Sequence, residues 1–415
     1  MKNLKEPLAF IVYALLLVVG CGKDDEPTLS PVQFSIDQST VDFGELKTSM
    51  QRSIKVTVTN TGEQTLILNS FTISGTNASE FLINEAEKTI EADKTHEFWV
   101  GFRPIEAGDK TAILTITSNI GEHKIDLSGK AILNPNDIVS IPDANFKASL
   151  LAHGDGILGD YVSKIDINDD GEIQVGEAQA YEGAIACYNK NITDLTGIEV
   201  FVNIEMLSVG KNQLTNLDLS QNIALKVLHC QENALTNLDV TQNIALKELS
   251  CNGNALTNLD ISQNIALWKL HCSSNPLSVL DVSKNTALKI IYASSNKLTS
   301  LDVSQNIVLE QLQCSNNQLT ALDLSNNTSV YTLKAQGNKL SSLDLSKNVA
   351  LVQLVCYGNQ LSSLNIANGN NPSTRDLHVN NNPDLTCIKI DSGFTPPSDG
   401  SWKKDDAANY NTSCL

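Results

Sequence analysis

The second half of the chain repeats its hydrophobic and polar positions with a period of twenty-one residues. Each unit follows the pattern L-T-x-L-D-[VLI]-S-x-N-x-x-L-x-x-L-x-C-x-x-N, as in LTNLDLSQNIALKVLHCQEN. The leucines that open the units are Leu214, Leu235, Leu256, Leu277, Leu298, Leu319, Leu340 and Leu361. A fixed period of this length predicts a solenoid, in which each coil buries its leucines against the coils on either side.

Within each coil the pattern predicts one short strand of a concave parallel sheet. Leu228 and Cys230 are expected to point inward, while Val227, His229 and Gln231 point outward. Nine or ten strands stacked about 4.8 Å apart would give a sheet roughly 45 Å long. The asparagine after each strand is expected to bond the backbone of the adjacent turn; these residues are Asn212, Asn233, Asn254, Asn275, Asn296, Asn317, Asn338 and Asn359, and Lys190 takes the place in the first unit.

Residues 32–133 show a different pattern, in which hydrophobic and polar residues alternate along short runs. The runs are separated by turn-forming groups and carry no helical period, as in SIKVTVTN and AILTITS. Period-two alternation at this spacing predicts an antiparallel β sandwich. In one run Ile54, Val56 and Val58 are expected to fill the core, while the alternate side chains face solvent.

The amino terminus has the pattern of an export signal. A basic start, MKNLK, precedes thirteen residues from Leu8 to Gly20 that are mostly apolar. Because a membrane-spanning helix needs about twenty apolar residues, this run predicts a signal peptide over residues 1–20. On this pattern alone, the segment would be a secretory signal, and the cysteine that follows it, Cys21, would be there by chance.

Val18-Val19-Gly20-Cys21 resembles the lipobox of bacterial lipoproteins. That resemblance implies cleavage before Cys21 and acylation of Cys21, so that lipid would anchor residues 21–31 to a membrane. The following Gly22-Lys23-Asp24-Asp25-Glu26 resembles the export tag of some gram-negative lipoproteins, which implies display on the outer face of the outer membrane.

The 415-residue chain carries a net charge of −18, which argues against nucleic acid as a partner because phosphate binding requires excess lysine and arginine. Residues 134–200 contain twelve acidic and three basic residues, a net charge of −9 and therefore half of the total. This concentration of carboxylates indicates a local cation site.

The segment Asp166 to Glu177, DINDDGEIQVGE, matches the twelve-residue EF-hand calcium loop. Gly171 permits the sharp turn, and Ile173 is the apolar residue in the middle. The predicted calcium ligands are Asp166, Asn168, Asp170, Glu172 through its carbonyl, Gln174 through water, and Glu177 as the bidentate ligand. The alternative is an acidic turn whose glycine ends a helix. The single loop resembles the lone loops of dockerins. A lone extracellular site is expected to be weak, with a Kd of about 10⁻⁴–10⁻³ M, and its ion is expected to be structural.

Two further family resemblances concern the sandwich and the repeats. Thr40–Gly44, VTVTNTG and Phe102-Arg103-Pro104 resemble the immunoglobulin-like choice-of-anchor D family, related to hydin and abnormal-spindle domains, which implies a stalk. The repeats, of which ITDLTGIEVF is the first, resemble internalin-like bacterial leucine-rich repeats. That resemblance implies a recognition or adhesion module.

Three columns of side chains resemble reactive sites but have structural explanations. Cys230, Cys251 and Cys272 alternate with alanine further along the column, which favours buried free thiols over zinc. The aspartates Asp218 to Asp344, each two residues before serine or threonine, are typical of turn caps, with a cation ladder as the alternative. His229 and His271 lie two strands apart, too far to share a metal. No nucleophile–base arrangement is evident, and we expect no enzyme.

One part of the predicted sheet combines aromatic and basic groups, the composition of binding hot spots. These candidate partner-binding residues are Trp268, Lys269, His271, Lys289, Ile290 and Tyr292. Tyr188 and Tyr357 are separate, weaker candidates. The alternative is a set of scattered solvent-facing residues.

The carboxyl-terminal segment, residues 384–415, resembles the closing cap of these bacterial repeats. The resemblance implies that Phe394, Trp402 and Tyr410 cover the last open leucine edge. Cys387 and Cys414 are the remaining plausible disulfide pair, since the export route permits oxidation.

Together these patterns predict a multidomain chain: an immunoglobulin-like sandwich at 32–133, a short helical cap with the calcium loop at 134–183, leucine-rich repeats at 184–383, and the closing cap. The expected function is noncovalent binding of a protein or cell-surface partner by a monomeric, lipid-anchored surface protein. Glycan capture for nutrient uptake and a passive envelope spacer are the alternatives.

Overall fold

The computed structural model describes residues 30–154 and 163–414, which fall into two units that divide between Leu133 and Asn134. The predicted signal peptide and Cys21 lie outside the described residues. Among the residues described, no helix is both long and apolar enough to span a membrane.

The first unit is a β sandwich, as its alternating pattern predicts. Its strands are β1 Phe34–Ile36, β2 Thr40–Lys47, β3 Arg52–Asn60, β4 Leu66–Ser74, β5 Phe81–Ile83, β6 Lys88–Ile90, β7 Thr95–Phe102, β8 Gly108–Ser118 and β9 Gly121–Ile132. One sheet has the order β1-β3-β7-β5 and the other β2-β9-β8-β4-β6, with β2 and β9 parallel. A single 3₁₀ turn, Ala78–Glu80, precedes β5.

The core of the sandwich lies between the two sheets. Val56 and Val58 are fully buried and Ile54 is half-buried, so the predicted inward face of β3 is correct. Phe102 packs so closely on Gly129 that a Cβ at this glycine would approach the ring to 2.7 Å, which explains why no larger residue fits there.

The second unit begins with two short helices, α1 Ala144–Leu151 and α2 Val175–Ala180. Asp143 caps α1 by accepting hydrogen bonds from the N–H groups of Asn145 and Phe146. Phe146 and Leu150 are fully buried.

His153, fully buried just after α1, caps the edge strand of the solenoid. Its Nδ1 donates to the Ser149 carbonyl at 2.6 Å, and its Nε2 accepts the N–H of Ala186 at 3.1 Å. Because a protonated Nε2 cannot accept a hydrogen bond, the bond from Ala186 requires the neutral imidazole. Burial lowers the pKa of His153, and the Lys190 charge acts in the same direction, although the bond to Ser149 opposes them.

The solenoid carries an eleven-stranded parallel sheet in which the described strands have two or three residues each. In order they are β10 Ala184–Ala186, β11 Met206–Ser208, β12 Val227–His229, β13 Glu248–Ser250, β14 Lys269–His271, β15 Ile290–Tyr292, β16 Gln311–Gln313, β17 Thr332–Lys334, β19 Gln353–Val355, β21 Asp376–His378 and β23 Trp402–Lys403. The central residues of neighbouring strands pair directly, as Leu228 does with Leu249. The expected nine or ten strands were too few, because the closing cap adds β23 beside β21.

A second parallel sheet, which the sequence did not predict, forms near the carboxyl end. Its strands are β18 Ser342–Asp344, β20 Ser363–Asn365, β22 Cys387–Lys389 and β24 Asn409–Asn411. The remaining regular segments are the 3₁₀ turns Ile198–Val200 and Asn371–Ser373.

The asparagine after each strand forms the predicted ladder between coils. The Asn233 side-chain amide donates to the carbonyls of Cys230, at 3.1 Å, and Val209, at 3.0 Å. Its oxygen accepts the N–H of Leu214 at 3.0 Å. Asn382 extends the ladder with the same pattern of bonds to Cys356 and Val379.

A second asparagine ladder runs through the S-x-N position of each coil. Asn264, for example, donates to the carbonyls of Val240 and Asn243 in the preceding coil, both at 2.9 Å. The side-chain oxygens of this ladder are buried and lack a hydrogen-bond partner among the described residues; they belong to Asn222, Asn243, Asn264, Asn285, Asn306, Asn327 and Asn348.

Candidate partner-binding surface and calcium loop

The predicted partner-binding residues lie on two adjacent strands or, for Trp268 and Lys289, directly before them. In the β14–β15 pair, Lys269 is opposite Ile290 and His271 is opposite Tyr292. The His271 and Tyr292 rings meet edge to face, with centroids 5.5 Å apart and an interplanar angle of 87°. Lys269 Nζ lies 5.8 Å from the centroid of the Trp268 ring. Aromatic surface and positive charge are therefore combined on one part of the sheet.

Ion pairs with the neighbouring strands hold two lysines of this group. Lys269 Nζ lies 3.2 Å from Glu248 Oε2, and Lys289 Nζ lies 3.0 Å from Glu310 Oε1. Because these side chains are partly or largely exposed, each pair contributes little to stability. The pairs nevertheless fix where each ammonium group lies on the sheet.

A hydrogen-bonded row extends the cluster beyond the residues that the sequence singled out. Tyr292 donates its hydroxyl hydrogen to Gln311 Oε1 at 2.7 Å, and the Gln311 amide donates to the hydroxyl oxygen of Tyr331. Tyr331 occupies the same place in its coil as Trp268, three units earlier. Because the two residues occupy equivalent positions in the repeat, Tyr331 could have been predicted from the sequence to lie beside the cluster.

His229 and His271 are half-buried on the outward face, with Ser250 between them on β13. Burial lowers the pKa of each imidazole below its ordinary value, so both are largely neutral near pH 7. In this outward column the structure places His378 as well, on β21.

The cysteine column consists of buried free thiols, as predicted. Burial raises the pKa of Cys230 and Cys272 to about 12 and that of Cys251 well above its usual range. Thiols of such high pKa are poor nucleophiles and poor metal ligands. Cys187, which the sequence pattern did not single out, is also a buried free thiol and directly follows β10.

The aspartate column caps turns, also as predicted. Asp260 accepts the N–H of Ser262 at 2.9 Å, and this bond lowers the pKa of the Asp260 carboxyl. In the other coils the aspartate likewise accepts the N–H of the residue two positions later, at 2.8–2.9 Å; these aspartates are Asp218, Asp239, Asp281, Asp302, Asp323 and Asp344.

The acidic segment forms a closed loop in front of α2. Asp166 accepts the N–H of Gly171 at 3.0 Å, and Gly171 has the left-handed φ of 79° that the turn requires. Glu177 accepts the N–H of Ile167 at 2.8 Å and that of Gln174 at 3.0 Å. The Glu177 carboxylate therefore ties the beginning of the loop to the first turn of α2.

The middle of the loop pairs with residues upstream of α1. The N–H of Val139 donates to the carbonyl of Ile173 at 2.8 Å, and the N–H of Val175 donates to the carbonyl of Asp137 at 2.9 Å. Ile173 is 1% exposed, so the apolar residue of the motif is part of the core.

Three of the predicted calcium ligands converge on one point of the loop. Asn168 donates its amide to Asp170 Oδ2 at 3.0 Å and to Gln174 Oε1 at 3.1 Å, and the Gln174 amide donates to the same Asp170 oxygen at 2.9 Å. The amide groups thus bridge the oxygens much as a cation would. The Glu172 side chain pairs with Lys147 at 2.5 Å.

Across the described residues, no three histidine, cysteine, aspartate or glutamate side chains are grouped closely enough to hold a metal ion. Rotation of the Asn168 and Gln174 amides would direct oxygen toward the centre of the loop. With the carboxylates of Asp166, Asp170 and Glu177 the donors would all be oxygen, the chemistry that a hard cation such as Ca²⁺ prefers, although these three carboxylates would have to move closer together to bind it. Calcium binding stays a prediction.

The closing cap places its aromatic residues over the end of the solenoid. Trp402 is 7% exposed and donates its indole N–H to the carbonyl of Thr374 at 3.1 Å. Its ring centroid lies 5.2 Å from that of Phe394 and 5.5 Å from that of Tyr410. A disulfide joins Cys387 to Cys414, whose Cα atoms are 5.8 Å apart.

Residues 32–131 match the family model described as a HYDIN/CFA65/VesB-like, Ig-like domain. This match agrees with the sandwich described above. Together with the parallel-strand solenoid, it confirms the predicted fold class. The choice-of-anchor D relationship stays a prediction. A comparison with curated proteins finds no match to the chain.

Three solved structures are similar to parts of the chain. The functional domain of InlJ from Listeria monocytogenes, described as including a cysteine ladder, is 30% identical over 62% of this chain and 67% of that one, with a TM-score of 0.44. The leucine-rich-repeat protein LIC12759 from Leptospira interrogans is 26% identical over 49% of this chain and 60% of that one, with a TM-score of 0.42. The ASH/PapD-like domain of human CEP192 is 14% identical over 28% of this chain and 98% of that one, with a TM-score of 0.21.

Proposed function

We propose that this chain is a lipid-anchored cell-surface recognition protein, which binds a protein or cell-surface partner noncovalently through the outward face of its eleven-stranded sheet. In this proposal Cys21 carries the lipid, the sandwich acts as a stalk, and the chain has no catalytic role. The single observation that supports the binding surface is the cluster formed by Trp268, His271 and Tyr292 with two lysines.

The composition of the surrounding sheet makes this cluster distinctive. The outward positions of the two flanking strands, β13 and β16, carry Glu248, Ser250, Gln311 and Gln313, and uncharged polar residues contribute little to affinity. Binding energy in protein interfaces concentrates on tryptophan, tyrosine and arginine near the centre of the contact. Trp268, on the coil of β14, lies toward the middle of the sheet.

Calcium would have a structural role in this proposal. The loop from Asp166 to Glu177 leads into α2, and its residue Ile173 is hydrogen-bonded to Val139 upstream of α1. The first strand of the solenoid, β10, follows α2 in the chain. A cation held by the oxygen atoms of the loop would tie these pieces together and support the end of the sheet.

The proposal is tested by capturing partners from cell-surface extracts with the soluble chain from Gly22 onward. We expect the wild type to retain a discrete partner, and Trp268→Ala or Tyr292→Ala to weaken binding about thirtyfold, as hot-spot truncations do. A glycan array with the same proteins tests the alternative partner class.

Trp99→Ala is the matched control, because Trp99 is a 57% exposed tryptophan on the sandwich. It should bind like the wild type. Loss of binding in Trp99→Ala with retention in Trp268→Ala would assign recognition to the sandwich instead. Glycan binding that is lost in Trp268→Ala would favour nutrient capture, and a partner that survives every substitution on the sheet would support a passive spacer.

A further inference from the structure

We infer that the partner presents an acidic polypeptide segment, which lies across the sheet between Lys247 and Lys334 and packs on the aromatic row between them. This inference rests on the proposed recognition function and specifies the chemistry of the partner. It follows from how charge is distributed over the solenoid.

Charge is segregated on this acidic protein. The seven turn-capping aspartates from Asp218 to Asp344 all lie outside the eleven-stranded sheet. The central face, defined as the outward residues of β13–β17 and the residue before each of these strands, is different. Its charged residues are Lys247, Glu248, Lys269, Lys289, Glu310 and Lys334.

Both carboxylates of the central face are already paired. Glu248 contacts Lys269 and Glu310 contacts Lys289. Among the residues that the structure describes, no carboxylate lies within ion-pair distance of Lys247 or Lys334. The central face therefore offers two unneutralised ammonium groups and no unpaired carboxylate, which favours a partner with negative charge.

The aromatic row lies between the two lysines. Lys247 precedes β13 and Lys334 ends β17, four strand spacings or about 19 Å apart. Trp268, Tyr292 and Tyr331 belong to the coils between and including these limits, and Gln311 links the two tyrosines. About six residues of extended chain would span this distance.

Geometry favours a polypeptide over the other anionic polymers. Two free lysines are too few for nucleic acid, whose affinity depends on many phosphate contacts. Sugar binding would use open aromatic faces, whereas Lys269 lies over the Trp268 ring and the Tyr292 ring contacts His271. Carboxylates at the ends of a peptide and apolar side chains at its centre match the arrangement of lysines and rings.

The probe is a fluorescein-labelled peptide with glutamates at both ends and a Leu-Tyr-Leu centre, compared with a peptide in which lysine replaces every glutamate. Binding to the full soluble chain is followed by fluorescence anisotropy at low and physiological ionic strength. We expect the acidic peptide alone to bind, with an affinity that falls as salt rises. The double variant Lys247→Glu/Lys334→Glu should weaken binding at least tenfold.

Lys347→Glu is the charge-matched control, since Lys347 is exposed in a turn outside the sheet. Equal binding of both peptides, no binding of either, or equal effects of Lys347→Glu and the double variant would overturn the inference. Tighter binding of polygalacturonate than of the acidic peptide would also overturn it. If Trp268→Ala abolishes capture of the surface partner while the double lysine variant does not, the inference fails and the recognition function stands.

Discussion

Each repeat unit of the solenoid contains two asparagines, buried or half-buried, that make different sets of hydrogen bonds. The ladder that includes Asn233 both donates and accepts, so the amide satisfies backbone groups of two coils. The ladder that includes Asn264 only donates, and its oxygen has no partner among the described residues. Asparagine suits this position because its NH₂ group gives each of two carbonyls in the preceding coil a second hydrogen bond, in addition to the backbone N–H that each accepts within its own turn.

Replacement of Asn264 by alanine should destabilise the solenoid by about 2 kcal/mol, because two buried hydrogen bonds to the Val240 and Asn243 carbonyls of the preceding coil would be lost. Urea unfolding followed by circular dichroism measures the change. Asn258→Ala, an exposed position in the same repeat unit, is the control and should change little. Equal midpoints for the two variants would contradict this account of the ladder.

His153 should make the stability of the second unit depend on pH. Burial lowers its pKa in the folded state below the ordinary value of about 6.5, so the unfolded chain takes up the proton first as the pH falls. Stability should therefore be highest above about pH 6.5 and decrease as the pH drops toward the folded pKa. Urea midpoints at a series of pH values measure this slope.

The variant His153→Gln should show a smaller slope over the same range, because glutamine can accept the Ala186 N–H without titrating. Gln313→Asn, a change without a titratable group at a half-buried position on the sheet, should keep the wild-type slope. If both variants retain it, His153 is not the group responsible.

At the scale of elements, the acidic loop should act as a calcium-dependent clamp on α2. At about ten millimolar Ca²⁺, a site with the expected affinity would add about 1–3 kcal/mol to the stability of the folded state. The melting temperature of the full chain should therefore rise with Ca²⁺ and fall with chelator. Glu177→Gln should remove most of this response by taking away the bidentate ligand.

Glu182→Gln controls for the loss of a carboxylate close to α2 but outside the loop, and it should respond to Ca²⁺ like the wild type. Identical melting curves of the wild type with Ca²⁺ and with chelator would leave the segment as an acidic turn.

Residue patterns were sufficient to predict most elements, and the failures have physical causes. The twenty-one-residue period repeats each buried leucine position from coil to coil, so Leu228 and its counterparts could be assigned to the core from spacing alone. The second sheet depends on which convex segments reach strand geometry near the closing cap, and nothing in Ser342–Asp344 distinguishes it from equivalent segments of other coils. The bond from Gln311 to Tyr331 likewise depends on contacts between coils that sequence spacing does not specify.

At the scale of the whole molecule, the fold class could be predicted because each unit carries its own periodicity, two in the sandwich and twenty-one in the solenoid. The placement of the candidate partner residues followed from the repeat, since four of the six lie on two adjacent strands and Trp268 and Lys289 directly precede those strands. The extension of the candidate partner surface to Gln311 and Tyr331 could be recognised only from contacts between neighbouring coils in the structure.

The proposed lipid anchor predicts where the repeats are found on a cell. An antibody against the solenoid should label intact cells as strongly as permeabilised ones, because acylated Cys21 would hold the chain on the outer face. Cys21→Ser should move the protein out of the membrane fraction, while the buried-site control Cys272→Ala should leave its location unchanged. Labelling that appears only after permeabilisation would contradict surface display.

The constant register of the short strands gives the solenoid an adjustable length. Since Leu249, Leu270 and Ile291 follow one another in matching places, excision of one whole twenty-one-residue segment would bring equivalent surfaces into contact. Such a deletion would shorten the molecule by one strand spacing, about 4.8 Å, and leave both ends closed. Gain or loss of whole segments by recombination would thus alter reach while preserving the way the remaining segments fit together.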